Sequence, residues 1–244
     1  MYKIMCFDAR TSAIAFSIGA LSSSYLYYKG KKENNKSDLM FSLMVFLISL
    51  MQLIEYFLWK NQSCNKINHM FSLLVIVLLT AQPILASNYY YHLYKNNTIV
   101  SGNLVLLYSI IFTLFSIYLL YLINQSNLCS TTTKNSCRLH WASMKELTKY
   151  KSYYIIWTIL YTIPYLIAGY DFTTWGYKIF KKYPIRYLFP LISYIITILY
   201  ILNKPDDIFE LLKNPMMFTK YVDAWGSLWC FSSVLLGIVG ILEI

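Results

Sequence analysis

The chain has 244 residues, of which 57% are hydrophobic and only 13% are charged, with a net charge of +10. Ordinary soluble domains carry about 25% charged residues, so this composition excludes a typical soluble protein. No polar stretch exceeds about 30 residues, which is too short for an independent soluble core. We therefore expect an all-α polytopic membrane protein that forms a single transmembrane domain over residues 1–244.

The 21 lysines and arginines lie almost wholly between the apolar runs. Basic residues in that position flank membrane spans and are attracted by anionic headgroups. We therefore expect the lipid bilayer and its anionic headgroups as partners, and no nucleic acid. A homo-oligomer is an open alternative. No cofactor is predicted.

Seven apolar runs predict transmembrane helices, since about 20 apolar residues suffice to cross a bilayer core. The first run ends at a basic stop and offers a poor cleavage site, so we interpret it as a retained helix rather than a signal peptide. Prolines in the third, fifth and sixth runs predict kinks. The predicted spans are residues 8–28, 39–59, 69–94, 99–123, 153–170, 185–202 and 217–242.

Two connections contain more than a turn. Residues 138–151 mix apolar with basic side chains, a pattern that predicts an amphipathic helix lying in the membrane interface. Residues 206–213, which follow Pro205, predict a second short amphipathic helix.

Three sequence features bear on orientation, and they do not all agree. Lys and Arg, counted over all connections, slightly favour an N-terminus inside, whereas the lysine-rich first connection argues the reverse. The five cysteines fall on or near the N-terminal side in the seven-span scheme, and disulfides persist in exoplasmic or luminal space. We therefore expect the N-terminus to be exoplasmic.

The second run, LMFSLMVFLISLMQLIEYFLWK, holds the strongest candidate site. Gln52, Glu55 and Trp59 are spaced by three and four residues, so they share one face of a helix. An ionisable residue inside a span is costly enough to mark a functional site by default. Glu55 is thus a candidate proton or ion ligand. The alternative is a structural carboxylate hydrogen-bonded to Gln52, a tryptophan N–H or Arg10.

Other polar groups are candidates for the same membrane leaflet or for the helix interior. Gln82, in the third run, lines an ion or proton path or links two helices by a hydrogen bond. Asp8, Arg10 and Trp229 are predicted supporting residues, and Asp8 is also the predicted N-cap of the first helix. Cys6 and Cys230 are candidate reactive thiols. The three histidines are expected to be interfacial and solvated. The cysteine spacings match no metal motif, so no metal site is predicted.

Three short motifs resemble an uncharacterised family of small multi-pass membrane proteins. They are Met5-Cys6-Phe7-Asp8-Ala9, Gln52-Leu53-Ile54-Glu55-Tyr56-Phe57-Leu58-Trp59 and Trp229-Cys230-Phe231. Bacterial members begin Met-Cys-Phe-Ser-Ala, carry Gln-Gln-x-x-Glu-Gly-x-x-Trp in the second helix and contain Trp-Cys-Phe in the last.

The chain departs from that pattern at Asp8, Met51 and Tyr56, where the family has Ser, Gln and Gly. The resemblance implies that Cys6, Glu55, Trp59 and Cys230 belong to one arrangement, and it implies no activity. The AT-rich composition would suit a large DNA virus, in which case the membrane is that of the host cell or the virion.

Three functions follow as hypotheses. The first is a channel or transporter that passes a proton or small cation by Glu55, Gln52 and Gln82. The second is a structural or interaction protein of a host or virion membrane. The third is a thiol-dependent membrane enzyme that uses Cys6 and Cys230. We favour the first and expect a protein that is not an enzyme.

Overall fold

The structure is a computed structural model that describes residues 8–94, 102–132, 139–174, 237–238 and 241. Over these residues the chain is mostly helical, as its apolar runs predict. The helices are α1 (Ala9–Lys32), α2 (Lys36–Lys60), α3 (Lys66–Tyr94), α4 (Gly102–Asn124), α5 (Ala142–Lys149) and α6 (Lys151–Thr174). The strands are β1 (Thr131–Thr132) and β2 (Leu139–His140).

Three of the described helices are long and apolar enough to cross a membrane, namely α2, α3 and α4. They coincide with the second, third and fourth predicted spans, and they confirm the prediction of a membrane protein with several apolar helices. Helices α1 and α6 overlap the first and fifth predicted spans. The count of seven stays a prediction, because residues 185–202 lie outside the described residues, as do residues 206–213. Of the seventh span, Gly237, Ile238 and Ile241 are described and helical.

Both ends of α1 are capped by local sequence. Asp8 precedes the helix in an extended conformation, and its Oδ1 accepts a hydrogen bond from the Thr11 N–H at 2.8 Å, which confirms it as the N-cap. At the other end, Asn34 adopts the left-handed region with φ of 51°, and the Asn35 N–H donates to the Gly30 carbonyl at 2.8 Å. This Schellman motif reverses the chain, so α1 and α2 form an antiparallel hairpin.

Small residues line the face of α1 that packs on α2. They recur about once per helical turn, and small residues let membrane helices approach closely. Ser23 Oγ also donates to the Ser42 carbonyl at 2.8 Å, across the two helices. We call α1 and α2 the small-residue hairpin. Its buried small residues on α1 are Ser12, Ala15, Gly19, Ser22, Ser23 and Gly30.

The C-terminal residues Gly237 and Ile241 pack against this hairpin. A Cβ at Gly237 would lie 2.6 Å from Ser22 Cβ and 3.0 Å from Val45 Cγ1, so only glycine fits without a shift. Ile241 packs on the buried cluster that the two helices share. A described part of the predicted seventh span therefore lies against α1 and α2.

The connection between α4 and α5 folds onto the end of the bundle where α2 turns into α3. Strands β1 and β2 pair antiparallel, with Thr131 opposite His140 and Thr132 opposite Leu139, and are an exception to the all-α prediction. The amphipathic helix predicted for residues 138–151 is observed as α5, Ala142–Lys149, and is shorter than predicted. Its apolar residues Met144 and Leu147, with the preceding Trp141, are buried in the protein core.

That burial corrects the expectation that the apolar side of this segment faces lipid. An amphipathic pattern indicates that one face is covered, but it does not identify what covers it. Here the cover is the end of the helix bundle. We call this region the polar end; it comprises the α2–α3 turn, the first two turns of α3, the last turn of α4, the connection to α5, and α5 itself.

Candidate functional site

Glu55 and Gln52 are both buried inside the apolar helix α2. Their exposed fractions are 2% and 0%, and Gln52 Nε2 donates to Glu55 Oε2 at 3.1 Å. Residues three apart on a helix lie on one face, so the predicted pairing of these side chains is confirmed. Trp59, one turn further on, is half-buried and packs on the same core.

Trp141 brings a second donor to the carboxylate from a distant part of the chain. Its Nε1 donates to Glu55 Oε1 at 3.2 Å, and the indole is 1% exposed. A tryptophan N–H was one of the predicted partners for Glu55, although residue 141 had been assigned to an interfacial helix. Arg10, another predicted partner, is exposed near the start of α1.

The two hydrogen bonds reach different oxygens of the carboxylate. Two N–H donors on different oxygens fix the orientation of the carboxylate. Gln52 uses its amide nitrogen for this bond, and its buried Oε1 has no hydrogen-bond donor within the described part of the chain. A carboxylate and a bare amide oxygen therefore lie side by side in an apolar helix.

Asn68 fixes the segment that carries Trp141. This fully buried side chain donates from Nδ2 to the carbonyls of Asn61 (2.6 Å) and Ser130 (2.8 Å), and its Oδ1 accepts from the Ser130 N–H (2.8 Å). The amide thus pairs with the Ser130 backbone as a neighbouring strand would. Ser130 Oγ in turn accepts from the Ala142 N–H at 2.9 Å, immediately after Trp141.

Further contacts attach the same connection to the α2–α3 turn. Cys64 and Cys129 form a disulfide across 65 residues, and the Thr132 N–H donates to Gln62 Oε1 at 3.1 Å. The sequence placed both cysteines on one side but left their pairing open. The disulfide directly precedes Ser130, so it attaches the same connection covalently to the α2–α3 turn.

His69, which was expected to be interfacial and solvated, has two hydrogen-bond partners in the protein. It is half-buried, its Nδ1 accepts from the Leu128 N–H at 3.2 Å, and its Nε2 lies 2.9 Å from Asn124 Oδ1. In the neutral ring the acceptor nitrogen carries no proton, so Nε2–H is the donor to Asn124. His140 is half-buried in β2, and the side chain of His92 lies outside the described residues.

Glu146 joins α5 to the end of α4. Ser126 Oγ donates to its Oε1 at 2.7 Å, and Lys149 Nζ lies 2.6 Å from its Oε2. Partial burial raises the pKa of Glu146, but the hydrogen bonds from Lys149 and Ser126, with the charges of Lys149 and Lys145, outweigh burial and hold the pKa below its ordinary value.

Gln82 lies apart from Glu55, at the contact of α3 with α6. It is 1% exposed, and Tyr161 donates its hydroxyl proton to Gln82 Oε1 at 3.0 Å. The Tyr161 ring stacks on Trp157 with centroids 5.2 Å apart. Gln82 therefore links two helices by a hydrogen bond, which is one of its two predicted roles.

The proline in α6 has a matched partner on α4. Pro164 has no N–H to give to the carbonyl of Leu160, four residues earlier. Tyr108 donates its hydroxyl to that carbonyl at 2.9 Å instead. The expected kink position is thus hydrogen-bonded by a neighbouring helix, as membrane helices require.

The remaining predicted site residues do not join the carboxylate. Asp8 is exposed and caps α1, while Cys6, Trp229 and Cys230 lie outside the described residues. Within the described ranges no three His, Cys, Asp or Glu side chains cluster as metal ligands.

Sequence reasoning missed three residues of the polar end, Asn68, Ser72 and Ser130. Ser72 and Ser130 lie with their Oγ atoms 2.6 Å apart, and both are fully buried. The only signal at residue 68 was an asparagine one turn into an apolar helix. No family model, curated protein sequence or solved structure matches this chain.

Proposed function

We propose that this integral membrane protein holds a proton or a small cation at Glu55 and passes it across the bilayer. The observation that carries the proposal is the buried Glu55 carboxylate beside Gln52 Oε1, an amide oxygen with no donor among the described residues. Oxygen atoms of this kind bind protons and hard cations.

The contacts of Glu55 support an occluded state of such a site. Trp141 covers the carboxylate from the polar end, and the disulfide and Asn68 hold the segment from which Trp141 projects. An ion that reaches Glu55 from that end has to displace the indole. We propose that movement of Trp141 exposes the carboxylate to solvent.

The orientation follows as part of the same proposal. The turn that contains Cys64 lies at the same end of the hairpin as the start of α1. Because disulfides persist in oxidising compartments, we propose that the N-terminus is exoplasmic. A reductant that cannot cross membranes should break the Cys64–Cys129 bond in intact cells. Protection of the bond until the membrane is permeabilised would reverse the orientation.

Ion flux in proteoliposomes tests the role of Glu55 directly. Proton-sensitive and cation-sensitive dyes would report flux for the wild type, for Glu55→Gln and for Glu33→Gln. Glu33 is the matched control because it is exposed and its ion pair with Lys29 lies at the surface. We expect Glu55→Gln to reduce flux at least tenfold and Glu33→Gln to leave it unchanged. Equal flux in all three proteins would refute the proposal.

A second candidate is a structural or interaction protein in which Glu55 only stabilises the fold. The observation that favours it is that each carboxylate oxygen already has a protein donor, Gln52 or Trp141. In that case Glu55→Gln would lower the free energy of unfolding by about 1–3 kcal/mol, because an amide hydrogen would meet one of the two donors. The wild type would then show no flux. The thiol hypothesis has no support from the described residues.

A further inference from the structure

Gln82, Tyr161 and Trp157 form a second polar site, which we call the inner site. Tyr161 connects the other two, since it donates to Gln82 Oε1 and stacks on the Trp157 indole. Phe112 of α4 closes the far side of Trp157, with ring centroids 6.2 Å apart. The site thus lies where α3, α4 and α6 meet.

Two buried donors of the inner site have no protein acceptor among the described residues. They are Gln82 Nε2 and Trp157 Nε1, on side chains that are 1% and 4% exposed. Buried donors without acceptors are rare in folded proteins, and internal water is the usual partner. Both groups present the positive end of an N–H bond to a neighbouring atom. Such a group binds a water oxygen and repels a cation.

The inner site is far from Glu55 along the bundle axis. Glu55 is five residues from the end of α2, about 7.5 Å, whereas Gln82 is 16 residues into α3, about 24 Å. The two helices are antiparallel, so the sites differ in depth by roughly 16 Å. Along α3 this interval contains an apolar layer of Val75, Ile76 and Leu79. The buried hydroxyls of Ser72 and Thr80 lie beside that layer, and each is hydrogen-bonded to a serine hydroxyl.

An apolar layer of this kind treats protons and metal cations differently. A cation that sheds its water to cross such a layer loses most of its solvation free energy. A proton instead moves along a file of waters that fills the layer transiently, and apolar constrictions gate by such wetting.

We propose that the inner site binds internal water and that the species passed by Glu55 is therefore the proton rather than a metal cation. This inference rests on the function proposed for Glu55. It names the substrate and adds Gln82, Tyr161 and Trp157 as groups that hold the water through which the proton moves.

Hydrogen exchange of the Trp157 and Trp141 indoles tests for water at the inner site. Protein labelled with ¹⁵N-tryptophan would be transferred into D₂O in micelles, and each indole N–H followed by NMR. Trp141 is the internal control, since it is equally buried but donates to Glu55. We expect Trp157 to exchange at least tenfold faster than Trp141. Equal protection of both indoles would overturn the inference. A lipid carbonyl that accepts from Trp157 Nε1 would also slow its exchange, and that result would count against water at the inner site.

Flux measurements test whether the transported species is the proton. With choline as the only external cation, wild-type vesicles should carry protons at the same rate as in sodium or potassium buffer. Tyr161→Phe and Gln82→Leu should reduce that flux about tenfold, while Tyr121→Phe, an exposed tyrosine on α4, should not.

The possible failures are distinct. Flux of sodium or potassium that depends on Glu55, without proton flux, would overturn the inference and leave the function of Glu55 intact. Absence of all flux in the wild type would refute the function itself. Normal proton flux in both inner-site variants would remove the inner site from the path.

Discussion

The small-residue hairpin and the polar end hold helices together by different means. In the hairpin, small residues such as Ser22 and Gly30 lie on the buried face of α1, beside an apolar cluster that the two helices share. In the polar end, Asn68 and the disulfide attach a connection that is about 60 residues away in sequence.

The difference between these two regions indicates which of them can hold a functional site. Close packing of small residues depends on shape and makes few directional contacts. A buried amide that pairs with one particular backbone segment allows a single register. The polar end is therefore the region that can position Trp141 on Glu55 to within a hydrogen bond, and the hairpin is the scaffold beside it.

The comparison predicts that Asn68→Ala has the largest effect. The substitution leaves the backbone groups of Ser130 and Asn61 without partners in a buried place, which costs about 3–5 kcal/mol in total. Thermal denaturation in micelles would measure the loss. Asn61→Ala is the control, since its side chain makes only a local bond to the Phe57 carbonyl. A loss no greater than that of the control would mean that the disulfide alone holds the polar end.

An intermediate effect is expected for Gly237→Ala in the hairpin. The new methyl group would overlap Ser22 Cβ, and overpacking of this kind costs about 1–3 kcal/mol. Adding Ser22→Gly removes the overlapping atom and should recover part of the loss relative to the sum of the single variants. Strict additivity in the same denaturation assay would show that the two residues do not touch.

The smallest effect concerns the pH dependence of the polar end. Because the pKa of Glu146 is held below its ordinary value of 4.5, its contribution is present above that pH and is lost as the pH falls through the lowered pKa. Glu146→Gln should remove this acid sensitivity. The free energy of unfolding involved is less than about 1 kcal/mol, because Lys149 is exposed. Melting curves from pH 6 to about pH 3 would measure it. An unchanged pH profile in the variant would exclude Glu146 as its source.

The sequence predicted the features that depend on local spacing. The apolar runs located the helices, Asp8 was recognised as an N-cap, and the spacing of Gln52 and Glu55 placed them on one face. These predictions succeed because a helix brings together residues three and four apart, independently of the rest of the fold.

The features that sequence reasoning missed depend on contacts between distant segments. Trp141 meets Glu55 because the connection after α4 folds back over the end of α2, and no pattern within residues 138–151 encodes that direction. Asn68 was overlooked for the same reason, since its partner Ser130 is 62 residues away. The amphipathic pattern predicted that one face of α5 is buried, and only the fold showed that this face packs against protein.

The contact between Glu55 and Trp141 also has a consequence for biosynthesis. The indole is encoded 86 residues after the carboxylate. At a synthesis rate of about 5–20 residues per second, α2 enters the membrane roughly 4–17 s before Trp141 exists. During that interval Glu55 lacks the Trp141 donor while it lies in an apolar helix, so we expect the insertion machinery to shield it. Completion of the Glu55 site by the Trp141 indole is thus a late event in the assembly of this protein.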